Sequence, residues 1–167
     1  RNAIHLMNLP KKATNADLLK LVQYIEDQGR LRGWSTNMKT IPQLSEDIMA
    51  DVMTEYTGRK YVVEVASTKG WDIRCEETGE KIEVKTTVSK VRDIGALKNK
   101  GASDKIACIW FNLEDKSQIE SVLVYPTNIV LENLKERKGK QPVFDKKGQL
   151  ALKDYAIDLT DIFKKYV

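Results

Sequence analysis

The sequence holds a single histidine, His5, and two cysteines, Cys75 and Cys108. Two cysteines and one histidine cannot build a zinc centre of the common kinds, which need four cysteines or two cysteines and two histidines. His5 stands alone near the N-terminus, which argues against hydrolases that need a catalytic imidazole. No Gly-rich phosphate loop of the Walker type occurs, so no nucleotide cofactor is expected. No apolar run approaches membrane-spanning length and no signal-peptide pattern appears, so no membrane partner is expected. Both cysteines fall in expected strands. They read as buried free thiols rather than a disulfide, which implies an intracellular, cytoplasmic location. The chain opens at Arg1 rather than Met, which reads as a processed or trimmed fragment.

What is present is an ordinary apolar fraction, 41%, and a slight basic excess. Against 28 Lys and Arg stand 24 Asp and Glu, for a net charge of +4. That balance permits a nucleic-acid partner without requiring one. A chain of 167 residues fits one domain and can bury a core. Residues 1–43 read as an arm and a helix, 44–126 as the core, and 127–167 as a helix, a hairpin and a last helix.

Leu18, Leu19, Val22 and Ile25 recur at helical spacing, with Thr14 or Asn15 as N-cap and Gly29 or Gly33 as the stop. Arg30, Arg32 and Trp34 then form a basic loop with one aromatic, a composition suited to a phosphate backbone or a base, and equally to a plain surface loop. A second helix is expected from Ser45 to Thr57, with Ser45 as N-cap and Gly58 as the stop. Its apolar face is Ile48, Met49, Val52, Met53 and Tyr56. Tyr61–Val65 reads as a strand. Thr86–Ser103 carries Lys90, Arg92, Lys98 and Lys100, where a phosphate backbone would lie; Asp93–Asn99 in it reads as a short helix. Lys105–Phe111 is nearly unbroken apolar and reads as a strand covered on both faces. Ser121–Tyr125 reads as another strand and Asn128–Arg137 as a helix. Phe144–Gly148 reads as a turn, and a last helix follows, capped by Asp158 or Thr160.

The densest chemistry lies in Gly70–Lys85. Trp71–Cys75 and Lys81–Val88 suit two strands, and Gly79 supplies the positive φ of a tight turn between them. Strand alternation puts Glu83, Lys85 and Thr87 on one face and Ile82, Val84 and Thr86 on the other. Glu83 and Lys85 are then roughly 6.6 Å apart at Cα, and Asp72 on the partner strand can sit beside Glu83. Two converging carboxylates repel unless a cation lies between them, and Mg2+ prefers such hard oxygen ligands. Glu114-Asp115-Lys116 and Asp145-Lys146-Lys147 are similar acidic-basic triplets, but they lack apolar flanks and a partner strand. A solvated charged hairpin is the plainer reading of the same residues.

Asp72, ten residues, then Glu83-Val84-Lys85 resembles the signature of the PD-(D/E)XK nucleases, over about Leu44 to Pro126. Trp71 stands where the motif has proline. The resemblance implies an α/β fold with a restriction-endonuclease-like core, a mixed central sheet flanked by helices. It implies a Mg2+-dependent endonuclease, with Mn2+ as a substitute, acting on double-stranded DNA as a homodimer. Asp72, Glu83 and the Val84 carbonyl would hold the metal, and Lys85 would orient or deprotonate water. A preceding helix in this family often supplies one more acid. By order and spacing that is Glu46, with Glu55 second; complementing the helix dipole is the other reading of Glu46. A Holliday-junction or repair nuclease, and a non-cleaving binding module, remain the alternatives.

Overall fold

The computed structural model describes residues 13–32, 40–64, 70–87, 90–95, 97, 102–112, 114–115 and 118–167. Helix α1 spans Asn15–Arg32 and α2 Thr40–Thr57. Strands β1 (Tyr61–Val63), β2 (Ile73–Cys75) and β3 (Lys81–Thr87) follow. Then come β4 (Lys105–Phe111), β5 (Ile119–Pro126) and α3 (Thr127–Glu132). The C-terminal part contains β6 (Lys135–Arg137), β7 (Lys140–Val143), α4 (Lys146–Ala151), β8 (Ile157–Asp158) and α5 (Thr160–Lys164).

Six strands form one mixed sheet in the order β1-β2-β3-β4-β5-β8. Only β3 and β4 pair in parallel; the other neighbours are antiparallel. The fold is therefore α/β, a mixed six-stranded sheet flanked by helices.

β4 explains the two-layer packing. Ala107, Ile109 and Phe111 point into one core, with Ile48, Met49, Val52 and Met53 of α2 and Phe163 of α5. Ile106, Cys108 and Trp110 point into a second core, with Val130 of α3, Ile94 and Phe144. The unbroken apolar run is thus a strand with no solvent face, as the sequence suggested. Ile48, Met49, Val52 and Met53 are all fully buried, each contributing roughly 2 kcal/mol. Cys75 lies in the first core and Cys108 in the second, and both are free and buried.

Several local expectations change. Thr14 caps α1, its hydroxyl accepting from the Asp17 N–H at 3.1 Å. α1 then runs through Gly29 to Arg32, so the backbone of Arg30 and Arg32 is helical rather than loop. Ser45 is no cap. α2 starts five residues earlier, and the buried Ser45 hydroxyl donates to the Ile41 carbonyl one turn back at 2.7 Å. Pro42 is tolerated there because the N–H groups of a first turn have no helical acceptor anyway.

Asp93–Gly95 is not helical. Ile94 exchanges both backbone hydrogen bonds with Phe144, at 2.9 and 2.8 Å, and ties the crossover between β3 and β4 to the C-terminal part. The helix expected over Asn128–Arg137 stops at Glu132, and Lys135–Arg137 pairs instead with β7 around Gly139, whose φ is 68°. Asp145 begins a helix rather than a turn: its carboxylate accepts from the Gly148 N–H at 2.8 Å. At α5 the cap residue is Leu159, while Asp158 just before it accepts from the Thr160 N–H at 3.0 Å. Among the described residues, no helix is long and apolar enough to cross a membrane.

Candidate functional site

The site sits where β2 begins beside β3. The β2–β3 turn closes through Gly79, at φ 74°, whose N–H donates to the Cys75 carbonyl at 2.9 Å. That turn sets Ile73 opposite Ile82, and brings Asp72, just before β2, against the Ile82–Val84 stretch of β3. The Asp72 N–H donates to the Ile82 carbonyl at 2.9 Å, and the Asp72 carboxylate accepts from the Val84 N–H at 2.6 Å. A strand residue's N–H and C=O leave on the same edge, so the Val84 carbonyl faces the Asp72 side as well.

On β3, Glu83 is buried, 7% exposed. Its carboxylate pairs with the Lys85 ammonium at 2.9 Å. Parallel pairing with β4 aligns Glu83 with Ile106, Lys85 with Cys108 and Thr87 with Trp110. The acid and the lysine thus share the sheet face of the second core.

The electrostatics follow from crowding. Burial pushes Asp72 above the usual carboxylate range, opposed by the Val84 N–H and the Lys85 charge. Burial also raises Glu83; the Lys85 hydrogen bond and charge pull it back, and Asp72 raises it further. Glu46 is pushed up to about 7, by burial first, then by the charges of Asp72 and Asp47. Asp72 is therefore the common electrostatic neighbour of Glu46 and Glu83. Glu46 is the seventh residue of α2, beyond the first turn where a helix dipole acts, so the dipole does not account for it. Glu55 lies elsewhere, paired with Lys165 of the C-terminal end at 3.1 Å.

The donor chemistry of Asp72, Glu83 and the Val84 carbonyl fits a hard divalent cation. Among the described residues no three His, Cys, Asp or Glu side chains converge closely enough to hold one. Mg2+ is commonly bound by one or two carboxylates, with waters and substrate phosphate completing its shell, so a two-carboxylate site with a carbonyl suffices.

The basic residues divide. Lys90 is exposed and, with Lys146, lines a 240 Å³ cleft that begins at Thr87, two residues past Lys85. Arg92 also lines it, but its charge is paired with Glu120 and its guanidinium lies 4.7 Å over the Trp110 ring. The side chains of Arg30 and Arg32, and all of Trp34, Lys98 and Lys100, lie outside the described residues. Sequence reasoning missed Lys146 and Trp110. Lys146 comes to the cleft through the Ile94–Phe144 bridge, which has no local signal, and Trp110 hides in an apolar run.

No protein-family model matches the chain, and comparison with curated proteins finds no match.

Proposed function

We propose that this chain is a metal-dependent endonuclease acting on double-stranded DNA, built on a restriction-endonuclease-like core. The observation that carries the reading is the anchoring of the Asp72 carboxylate on the Val84 N–H, between Glu83 and Lys85, with Lys85 paired to Glu83. A divalent cation held by Asp72, Glu83 and the Val84 carbonyl, Mg2+ or Mn2+, would neutralise phosphate charge and acidify a water.

The protein's own groups do the rest. Asp72, anchored on the Val84 N–H, fixes one wall of the site. Lys85 pairs with Glu83, opposing the rise that burial imposes on it, and would present an ammonium toward the charge that grows on a phosphate oxygen. Glu46, with its raised pKa, can carry a proton near neutral pH. Lys90 and Lys146 supply positive charge along the adjoining cleft, where a phosphate backbone would run.

The test is incubation of supercoiled plasmid with the purified protein and Mg2+, with EDTA as control. Cleavage should depend on metal and fall at least about a hundredfold in Asp72→Ala and in Lys85→Ala. Unchanged cleavage by a rigorously purified Asp72→Ala protein defeats the reading. Discrete fragments would mark a restriction-type homodimer, and selective cutting of branched substrates a junction or repair nuclease. DNA binding with no product would leave a non-cleaving module.

A further inference from the structure

We propose that the cavity over the β4–β5–β8 half of the sheet is a nucleotide subsite. The base would lie against Trp110 and Ser121, and the phosphate toward Arg92 and Lys153. The proposal deepens the nuclease reading, since it names what part of the substrate this second cavity takes.

Register places Trp110 of β4 directly opposite Ser121 of β5. Trp110 is 3% exposed, and its indole N–H has no acceptor among the described residues. Ser121 is half-buried, but its hydroxyl oxygen is closed to solvent and also without a partner there. A buried polar group left unpaired is costly, and native proteins seldom tolerate one without a reason. Here two lie side by side, both on residues that wall a cavity of 620 Å³. That volume is in the ordinary range for a small-molecule site.

The wall chemistry narrows the ligand. An indole N–H only donates, so the ligand must offer an acceptor; a serine hydroxyl takes either partner. Arg92 and Lys153 favour an anionic group at their part of the rim, while Glu120, Asp158 and Asp161 favour hydrogen-bond donors. A nucleobase with ring acceptors and an exocyclic amine, joined to a phosphate, meets all of these demands together. An inorganic anion meets only the first cations, and an apolar ligand meets none.

Placement makes the same point. Trp110 pairs with Thr87, two residues beyond Lys85 on the same face. One strand across and two residues along is about 8 Å between Cα positions. A phosphate at Lys85 would therefore have its neighbouring nucleotide within reach of this cavity. The Arg92–Glu120 ion pair stands between the two, lining both the 240 Å³ cleft and the larger cavity. A phosphate arriving there competes with Glu120 for Arg92. The base would enter unstacked, as in enzymes that hold a nucleotide outside its helix.

The experiment uses the 15N-labelled protein without metal, so it does not depend on cleavage. The Trp110 indole resonance is assigned by its loss in Trp110→Phe. The protein is titrated with each deoxynucleoside 5′-monophosphate and, separately, with inorganic phosphate. The expected result is a saturable shift of the Trp110 indole peak with at least one nucleotide and a clearly smaller shift with phosphate alone at the same concentration. Ser121→Ala should weaken that binding about fivefold, and Lys153→Gln about threefold. No shift up to about 10 mM nucleotide, an equal shift with phosphate, or an unaffected Ser121→Ala protein overturns the subsite. An unresponsive indole in a protein whose cleavage still requires Asp72 sinks the subsite and spares the nuclease. A responsive indole with Asp72-independent cleavage does the reverse.

Discussion

The Val84 N–H donates to the Asp72 carboxylate at 2.6 Å, pinning the acid just before β2 to the backbone between Glu83 and Lys85 of β3. This contact separates two roles of Asp72 that a single alanine variant would mix. Asp72→Asn keeps an acceptor for Val84 and removes the charge that crowds Glu46 and Glu83. Its stability in EDTA should stay within about 1 kcal/mol of the parent by urea denaturation, while Mg2+-dependent cleavage is lost. A loss of several kcal/mol would mean that the Asp72 charge is structural.

Glu46 gives a pH test with a definite sign. Its pKa is raised from 4.5 to about 7 in the folded protein, so the fold binds a proton the unfolded chain has released. The stability this contributes is complete below about pH 4.5 and is lost as pH rises through about 7. Glu46→Gln should therefore raise Tm by about 3 °C at pH 8 and leave it nearly unchanged at pH 4.5, a partly solvated group being discounted accordingly. Equal effects at both pH values, measured by circular dichroism melts in EDTA, would remove Glu46 from the acidic cluster.

The Glu120 carboxylate occupies the Arg92 guanidinium over Trp110. Glu120→Gln should release that charge toward the cleft. Duplex DNA binding, measured by fluorescence anisotropy with Ca2+ at low salt, should tighten about threefold. The slope of log K against log salt should steepen by up to about one. An unchanged slope would exclude Arg92 from the phosphate path.

Gly79 holds the turn that sets Ile73 opposite Ile82 and so places Asp72 against β3. A Cβ there would meet nothing within 4 Å, so Gly79→Ala tests backbone strain alone, at φ 74°. The variant should lose about 1–2 kcal/mol, seen as a Tm lower by roughly 3–6 °C. A larger loss, or a change in the β2–β3 register, would make the turn more than a local strain.

The hairpin that carries the candidate site was legible in the sequence because its parts are local. Asp72, Gly79, Glu83 and Lys85 lie within one hairpin, where period-2 alternation and turn chemistry fix which side chains meet. The doubly covered β4 was legible for a related reason, since only burial on both faces permits Ile106 to Phe111 without a polar break. The start of α2 was missed because Ser45 looks like a cap, and only packing shows its hydroxyl turned back on Ile41.

By itself, then, the sequence determined the hairpin, its acids and lysine, and the central strand, all set by short-range geometry. Tertiary structure alone decided the rest. It brought Lys146 to the cleft through the Ile94–Phe144 bridge, set Glu120 on Arg92, and left Trp110 and Ser121 side by side without partners among the described residues. Those contacts join residues far apart in the chain. Their free energy comes from burial shared across the sheet, which no local pattern of residues records.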